Sequence, residues 1–195
     1  MLLAILLSLA VAAATPPDSL EVRHTPQNGM LRVEMGALSA LSVREPFRYV
    51  GGQRFILRGV ADAEQHFFVV ADEAGRIARL YWIQIEEFLP QSTGVYDYSK
   101  DQVVSEGVRL FVNVRTYDAP PASGSDRERA SLFLKSRGYT MPDGATRVRL
   151  VYLPENPARR EVMIVYLEAG ESAKSALEGE LTSRATESLT LETRR

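Results

Sequence analysis

The sequence predicts one α+β domain, in which a curved antiparallel sheet of about six to seven strands carries two helices from the C-terminal half of the chain. Segments rich in Phe, Ile, Val, Tyr and Trp follow one another between Pro46 and Pro90, separated by short turns. An apolar alternation comes later at Val108–Tyr117, and both helical patterns follow it. A lipocalin-like β-barrel is the alternative, although the early Gly-x-Trp of such barrels is missing because Trp82 is the only tryptophan.

The chain begins with an apolar segment, Leu2–Ala13, that is interrupted only by Ser8. It suits the central part of a secretory signal peptide and is shorter than the roughly 20 residues of a membrane-spanning helix. Ala12 and Ala14 fit an A-x-A cleavage site. We therefore expect residues 1–14 to be removed as a signal peptide and the protein to be exported to the periplasm or the medium. An uncleaved N-terminal membrane anchor is the alternative, because no Lys or Arg precedes the apolar segment.

Three further regions are expected after the signal peptide: an extended leader at 15–46, the α+β domain at 47–188 and a flexible tail at 189–195. Within the leader, Met30–Glu34 is predicted as a strand and Gly36–Val43 as a short helical turn.

Six segments of the domain are predicted strands, namely Gln53–Val60, Glu64–Asp72, Arg76–Phe88, Val108–Tyr117, Thr146–Leu153 and Glu161–Glu168. Turns at Asp62-Ala63 and Asp72–Gly75 would join the first three. Asp can bond its own backbone in such a turn, and Gly takes positive φ without steric penalty.

Two helices are predicted, and both are expected to cover one face of the sheet. Ser125 and Glu128 form a capping box, and Gly138 ends the pattern, which predicts a helix at about 125–138. The second, at about 171–188, has small and apolar residues at helical spacing and is interrupted by Gly179.

The composition excludes several classes of function. The absence of cysteine removes thiol catalysis, disulfides and thiolate metal sites. A net charge of −2 gives no general affinity for nucleic acid. The common signatures of serine hydrolases, zinc peptidases and nucleotide-binding loops are absent. We therefore predict no cofactor, no nucleic-acid partner and no transmembrane segment in the mature chain.

The predicted turns define a candidate ligand-binding face. His66 would lie opposite Tyr81 on one side and Gly59 on the other, with Arg79 two residues along an otherwise apolar surface. An apolar surface with a few converging polar groups is the usual form of a small-molecule site. Gly59, His66, Arg79 and Tyr81 are therefore the candidate ligand-binding residues. The competing interpretation is structural, with His66 and Tyr81 satisfying each other in the core.

Metal binding is not predicted. Glu64 shares a strand face with His66, but a third and a fourth ligand are not evident in the sequence.

Other polar groups are predicted on the opposite face and on the surface. Trp82, Gln84 and Glu86 form either a ligand strip or a packed tryptophan beside a solvated glutamate. Two further surfaces are an arginine-rich hairpin and the polar aromatic loop at Tyr96–Asp101; the hairpin carries Arg147, Arg149, Arg159 and Arg160.

Three hypotheses of function follow. The first is a non-enzymatic binding module for a hydrophobic or amphipathic small molecule. The second is a structural or interaction protein of the cell envelope, with the arginine-rich hairpin or the Tyr96–Asp101 loop as its partner surface. The third is an enzyme that uses His66 as acid or base, helped by Tyr81 or Glu64. No motif resembles a known family closely enough to name one.

Overall fold

The computed structural model describes residues 19–98, 102–117, 119–142 and 144–194, with only the backbone at Glu171 and Ser172. The predicted signal peptide and its cleavage point lie outside these residues. Ten strands and three helices occur in the described part of the chain. They are β1 (Met30–Met35), β2 (Leu38–Val43), β3 (Arg48–Leu57), β4 (Ala61–Ala71), β5 (Ile77–Phe88), β6 (Gln102–Ser105), β7 (Val108–Thr116), α1 (Asp126–Ser136), β8 (Thr146–Tyr152), β9 (Arg160–Glu168), α2 (Glu171–Ser175), α3 (Glu178–Glu187) and β10 (Leu189–Thr193).

Seven strands form one antiparallel sheet in the order β3-β4-β5-β9-β8-β7-β6. The antiparallel main sheet and its predicted number of strands are therefore confirmed. Among the described strands, β3 and β6 are the two edges, so the sheet is open. The lipocalin-like alternative is wrong, because such a barrel requires the first and last strands to pair.

A second sheet of three strands, in the order β1-β2-β10, was not predicted. Leu38–Val43, expected to be part of a helical turn, forms β2, and Leu189–Thr193, expected in the flexible tail, forms β10. In β10 the side chains of Leu189 and Leu191 are buried between partly exposed neighbours, which is the period of a strand with one covered face. The expected leader is also folded, because it contributes β1 and β2.

The two helices of the prediction lie on opposite faces of the main sheet, not on one. On one face the three-stranded sheet and α3 enclose a core that includes Phe68, Tyr81, Ile83, Ile164 and Leu181. We call this the small-sheet face. On the other face, which we call the α1 face, the core includes Phe67, Trp82, Val165, Ala130 and Leu134. The sheet is thus covered on both sides.

The first helix is confirmed, whereas the second is divided. At α1 the Ser125 hydroxyl accepts the N–H of Glu128 at 3.1 Å, and Gly138 adopts a φ of +83° just after the helix. The expected second helix separates into α2 and α3. The break falls at Ala176 and Leu177, which are extended, and not at Gly179. No helix among the described residues has both the length and the apolar character needed to span a bilayer.

Candidate functional sites

The register of β4 and β5 places His66 opposite Ile83, and Tyr81 opposite Phe68. The predicted pairing of His66 with Tyr81 is therefore wrong by two residues. Because side chains alternate with a period of two, the shift leaves His66 and Tyr81 on the same face, the small-sheet face.

A longer turn and a β-bulge together cause this shift. The predicted turn at Asp72–Gly75 is present, with the Gly75 N–H donating to Asp72 O at 3.0 Å, but the pairing closes one residue later, between Asp72 and Arg76. The second residue of the shift comes from a β-bulge in β5. Val70 pairs with Arg79 whereas Ala71 pairs with Ile77, so β5 has one extra residue at this point. Each irregularity moves the pairing by one residue.

Gly59 does not lie opposite His66. The first turn is at Arg58–Val60, not at Asp62-Ala63, and Gly59 occupies it with a φ of +72°. The residue opposite His66 is Gly52. A Cβ at Gly52 would lie 2.7 Å from His66 Nδ1, so the imidazole itself occupies the space that this glycine leaves.

Tyr81 and Arg79 belong to a different environment from His66. The fully buried Tyr81 donates its hydroxyl to Ala185 O at 2.9 Å, and burial raises its pKa far above the usual range. The Arg79 guanidinium lies 5.2 Å from the centre of the Phe47 ring and lines a cavity of about 380 Å³. The structure does not bring the four candidate residues together, and ligand binding by them stays a prediction.

His66 belongs instead to a polar cluster at the β3 edge of the small-sheet face. Its Nε2 lies 3.0 Å from Glu64 Oε1, and its Nδ1 lies 3.1 Å from the Tyr49 hydroxyl. The same Glu64 oxygen lies 3.1 Å from His24 Nδ1. His66 and Glu64 are fully buried, and the side chain of His24 is 23% exposed.

Glu64 is held as a buried carboxylate by an unusually full set of donors. It accepts the backbone N–H groups of Arg23 and His24, at 3.0 and 2.8 Å, and it is hydrogen-bonded to the His66 imidazole. Burial alone would raise its pKa, but these hydrogen bonds outweigh burial and hold the pKa of Glu64 well below its usual range. His24, Glu64 and His66 are the described residues whose arrangement suits a metal ion, with all three ligand atoms within 4.8 Å of one another.

The α1 face carries a groove that the sequence did not predict. Two surface cavities of about 340 and 270 Å³ share Arg147 and Arg149 in their walls. We call them together the arginine groove. Its apolar floor and its aromatic and cationic walls are formed mainly by Trp82, Met163, Val165, Tyr98, Tyr117, Arg127, Arg147 and Arg149.

Stacking fixes the arginines of this groove. The Arg127 guanidinium lies 3.7 Å from the centre of the Tyr117 ring, and that of Arg147 lies 5.2 Å from the same ring. Arg149 lies 4.8 Å from the ring of Tyr98. Cations over aromatic faces are attracted by the ring quadrupole, so these side chains are held in place without neutralising their charge.

Three buried donors at the groove have no hydrogen-bond partner among the described residues. They are the indole N–H of Trp82 and the Nε–H groups of Arg127 and Arg147. All three residues line the 270 Å³ cavity. A buried donor without a partner costs about 1–3 kcal/mol, so three at one cavity define a place where an acceptor is missing.

A pair of carboxyl groups lies under the loop beside this groove. Glu86 and Glu161 are opposite each other on β5 and β9 and are 7% and 3% exposed. The Tyr96 hydroxyl donates to Glu86 and the Tyr98 hydroxyl to Glu161, each at 2.6 Å. The expectation of a solvated Glu86 is wrong, because Tyr96 covers it.

Burial sets the protonation of this pair. It raises the pKa of Glu161 to about 7, and the charge of Glu86 acts in the same direction. Burial raises the pKa of Glu86 as well. Near neutral pH Glu161 is therefore only partly ionised, because burial and the neighbouring charge both disfavour its carboxylate form.

The arginine-rich hairpin of the prediction divides between two places. Arg147 and Arg149 line the groove, whereas Arg160 pairs with Glu155 at 2.8 Å. Arg159 donates to the carbonyl oxygen of Leu89 at 2.9 Å. In the Tyr96–Asp101 loop, residues 99–101 lie outside the described part of the chain.

Several residues of these sites were not found by sequence reasoning. His24 gave no signal, because it lies far from Glu64 in the chain. Arg127 and Tyr117 were placed in a helix and a strand without a stated role. The alternation of side chains along β5 and β9 would have predicted the Glu86–Glu161 pair if the register of the two strands had been known.

Comparison with known proteins gave no relative. No protein-family model, no curated protein and no solved structure matches this chain. The functional conclusions therefore depend on the geometry of the chain itself.

Proposed function

We propose that the protein binds a small amphipathic anion, an apolar or aromatic body that carries a carboxylate, sulfonate or phosphate, in the arginine groove. The observation that carries the proposal is the set of three unpartnered buried donors, on Trp82, Arg127 and Arg147, around one cavity. It keeps the class of ligand that the sequence suggested and moves the site to the α1 face.

The donors favour an anion over a neutral ligand. An indole N–H and two guanidinium N–H groups can donate but not accept, and hydrogen bonds from guanidinium to an anionic oxygen are about twice as strong as neutral ones. Of the described residues that line the 270 Å³ cavity, Asp126 is the one acid beside Arg127, Arg147 and Arg149, so positive charges are in excess among them.

The floor favours an apolar body on the same ligand. Trp82 is 2% exposed and Met163 and Val165 are 4% and 1% exposed, so the base of the cavity is a packed apolar surface. The two cavities, of about 340 and 270 Å³, lie just above and just below the lower limit for small-molecule sites, about 300 Å³.

Trp82 can serve as the fluorescence donor in a binding experiment, because it is the only tryptophan of the chain and lines the cavity. The probes are 8-anilino-1-naphthalenesulfonate and N-phenyl-1-naphthylamine, which share an aromatic body and differ in the sulfonate. We expect saturable energy transfer from Trp82 to the anionic probe, with weaker binding of the neutral one. Arg147→Gln should lower the affinity for the anionic probe about 10- to 100-fold, the effect of losing one charge-assisted hydrogen bond. The affinity for the neutral probe should be nearly unchanged.

Arg109→Gln is the matched control, because Arg109 is an exposed arginine of the same sheet outside the groove. Near-ultraviolet circular dichroism of each variant confirms that the probes meet a folded protein. Equal affinity of the wild type for both probes would contradict the proposal. So would an equal loss of affinity for the anionic probe in Arg109→Gln and Arg147→Gln. The absence of saturable binding would favour an envelope interaction protein instead.

We also propose that the chain works outside the cytoplasm after cleavage behind Ala14. The apolar segment Leu2–Ala13 and the A-x-A pattern at Ala12–Ala14 support this localisation.

A further inference from the structure

We propose that His24, Glu64 and His66 form a binding site for a divalent transition-metal ion of the zinc type. The site is on the small-sheet face and is independent of the arginine groove on the α1 face. Imidazole nitrogen and carboxylate oxygen are standard zinc ligands, and two histidines with one glutamate form a known zinc ligand set.

The separations of the ligand atoms suit one ion. Ligands at about 2.0–2.1 Å from a tetrahedral ion are roughly 3.3 Å from one another. Glu64 Oε1 lies 3.0 Å from His66 Nε2 and 3.1 Å from His24 Nδ1, and no two of the three ligand atoms are more than 4.8 Å apart. Small side-chain rotations are sufficient to bring all three to one ion.

The second observation is the state of His24 Nδ1. This nitrogen is inaccessible to solvent and has no hydrogen-bond partner among the described residues; although it is close to Glu64 Oε1, the two are not aligned as donor and acceptor. Coordination of a metal ion would give this buried imidazole nitrogen the partner that it lacks.

The surroundings of His66 hold its ring for coordination through Nε2. The Tyr49 hydroxyl contacts Nδ1 at 3.1 Å, and a hydroxyl can either donate to that nitrogen or accept from it. With a metal on Nε2, Nδ1–H would donate to Tyr49, the outer hydrogen bond that metal-bound histidines usually make. The ring can occupy this position because residue 52 is glycine: a Cβ at Gly52 would lie 2.7 Å from Nδ1.

The charges around the cluster are balanced before a metal binds. Arg23 Nε lies 3.4 Å from Glu64, and Arg54 donates to Asp62 at 2.7 Å. The ion would therefore meet two carboxylates offset by two guanidinium groups. Three protein ligands leave a coordination position open, and His24 and Arg23 line a surface cavity of about 600 Å³.

The test is titration of the chain with Zn²⁺ by calorimetry and with Co²⁺ by visible absorption, using protein without a polyhistidine tag. We expect one ion per chain and the absorption bands of a low-coordinate cobalt site. Tyr49→Phe should lower the affinity for Zn²⁺ about 10- to 100-fold, as the loss of a residue that hydrogen-bonds to a metal ligand usually does. His24→Ala should lower this affinity by more. His24→Ala leaves the Glu64–His66 pair intact, so the fold is expected to survive, and His24→Gln serves as a second variant if it does not.

Glu73→Gln is the matched control, an exposed acid in the turn after β4, at the far end of that strand from Glu64. Absence of Zn²⁺ binding, or binding that His24→Ala leaves unchanged, would overturn the site. Arg147→Gln should leave Zn²⁺ binding unchanged, so a failure here and a failure of the groove proposal are distinguishable.

Discussion

Glu161 on β9 lies directly opposite Glu86 on β5, with both carboxyl groups buried beneath tyrosines of one loop. Burial raises the pKa of both carboxyl groups, and like charges directly opposite each other on paired strands are destabilising. The pair therefore links the stability of the fold to pH.

Glu161→Gln should remove most of that dependence. In the unfolded chain the pKa of Glu161 has its ordinary value of about 4.5, and burial in the fold raises this pKa to about 7. Between these values the folded state binds more protons, so stability is fully present below pH 4.5 and falls as pH rises through 7. At pH 8 the variant should exceed the wild type by about 3 kcal/mol, from about 1.4 kcal/mol per pKa unit.

Urea unfolding between pH 4 and pH 8 measures this difference. Glu87→Gln, which changes the exposed acid next to Glu86 on β5, should keep the wild-type slope. Parallel profiles for the wild type and Glu161→Gln would show that the pair is not the source of the pH dependence.

His66→Ala should destabilise the protein independently of Tyr81. The change leaves the Tyr49 hydroxyl without its partner and removes a donor from Glu64, which costs about 1–3 kcal/mol for the unsatisfied group alone. Tyr81→Phe affects a different partner, Ala185. The two changes should therefore add within about 0.5 kcal/mol.

A double-mutant cycle in urea, with a chelator present, tests this additivity. A coupling above about 1 kcal/mol would support the pairing of His66 with Tyr81 that the sequence suggested, and would contradict the observed register.

Removal of residues 189–195 should destabilise the protein strongly. Leu189 and Leu191 are 3% and 4% exposed, and burying one such side chain contributes about 1.5–3 kcal/mol. We expect a loss of about 3–6 kcal/mol in urea unfolding. A chain that ends after Thr193 is the control, because of the described residues it lacks only Arg194, which makes an exposed ion pair with Glu34 and a backbone hydrogen bond to Ala37. Equal stability of the two truncated chains would contradict a structural role for β10.

The intact mass of exported protein tests the signal peptide. We expect a mass that begins at Thr15, and accumulation of uncleaved chain in Ala12→Asp, which alters the first small residue of the cleavage pattern. Ala13→Asp changes the unconstrained middle position and should still be cleaved. A wild-type mass that retains Met1–Ala14, found in a membrane fraction, would instead indicate an anchored protein.

Local periodicity was sufficient to predict most elements of the main sheet and α1. Val108–Tyr117 and Glu161–Glu168 were found within about one residue because alternation is a local property. Register was not predictable in the same way, since the bulge at Val70 and Ala71 has no glycine or proline to mark it. β10 was missed because its partner strand is at the other end of the chain.

The sites were only partly predictable for the same reason. Glu64 and His66 are two residues apart and were recognised as sharing a face, whereas His24 joins them only through the fold. Trp82, Arg147 and Arg149 were each singled out, but their convergence depends on the neighbouring positions of β5, β9 and β8 in the sheet. Long-range strand order is what a single sequence does not reveal.

The three-stranded sheet has a consequence for the order in which the protein can fold. Its middle strand, β2, pairs with β10, which follows it by about 150 residues and is the last strand in the described part of the chain. Contacts between distant parts of a chain form slowly, because the loop between them must close first. A chain that emerges N terminus first, from a ribosome or across a membrane, therefore cannot complete the cover over the small-sheet face until Leu189–Thr193 has emerged. Until then the apolar side chains of that face are open to a chaperone or to another copy of the chain.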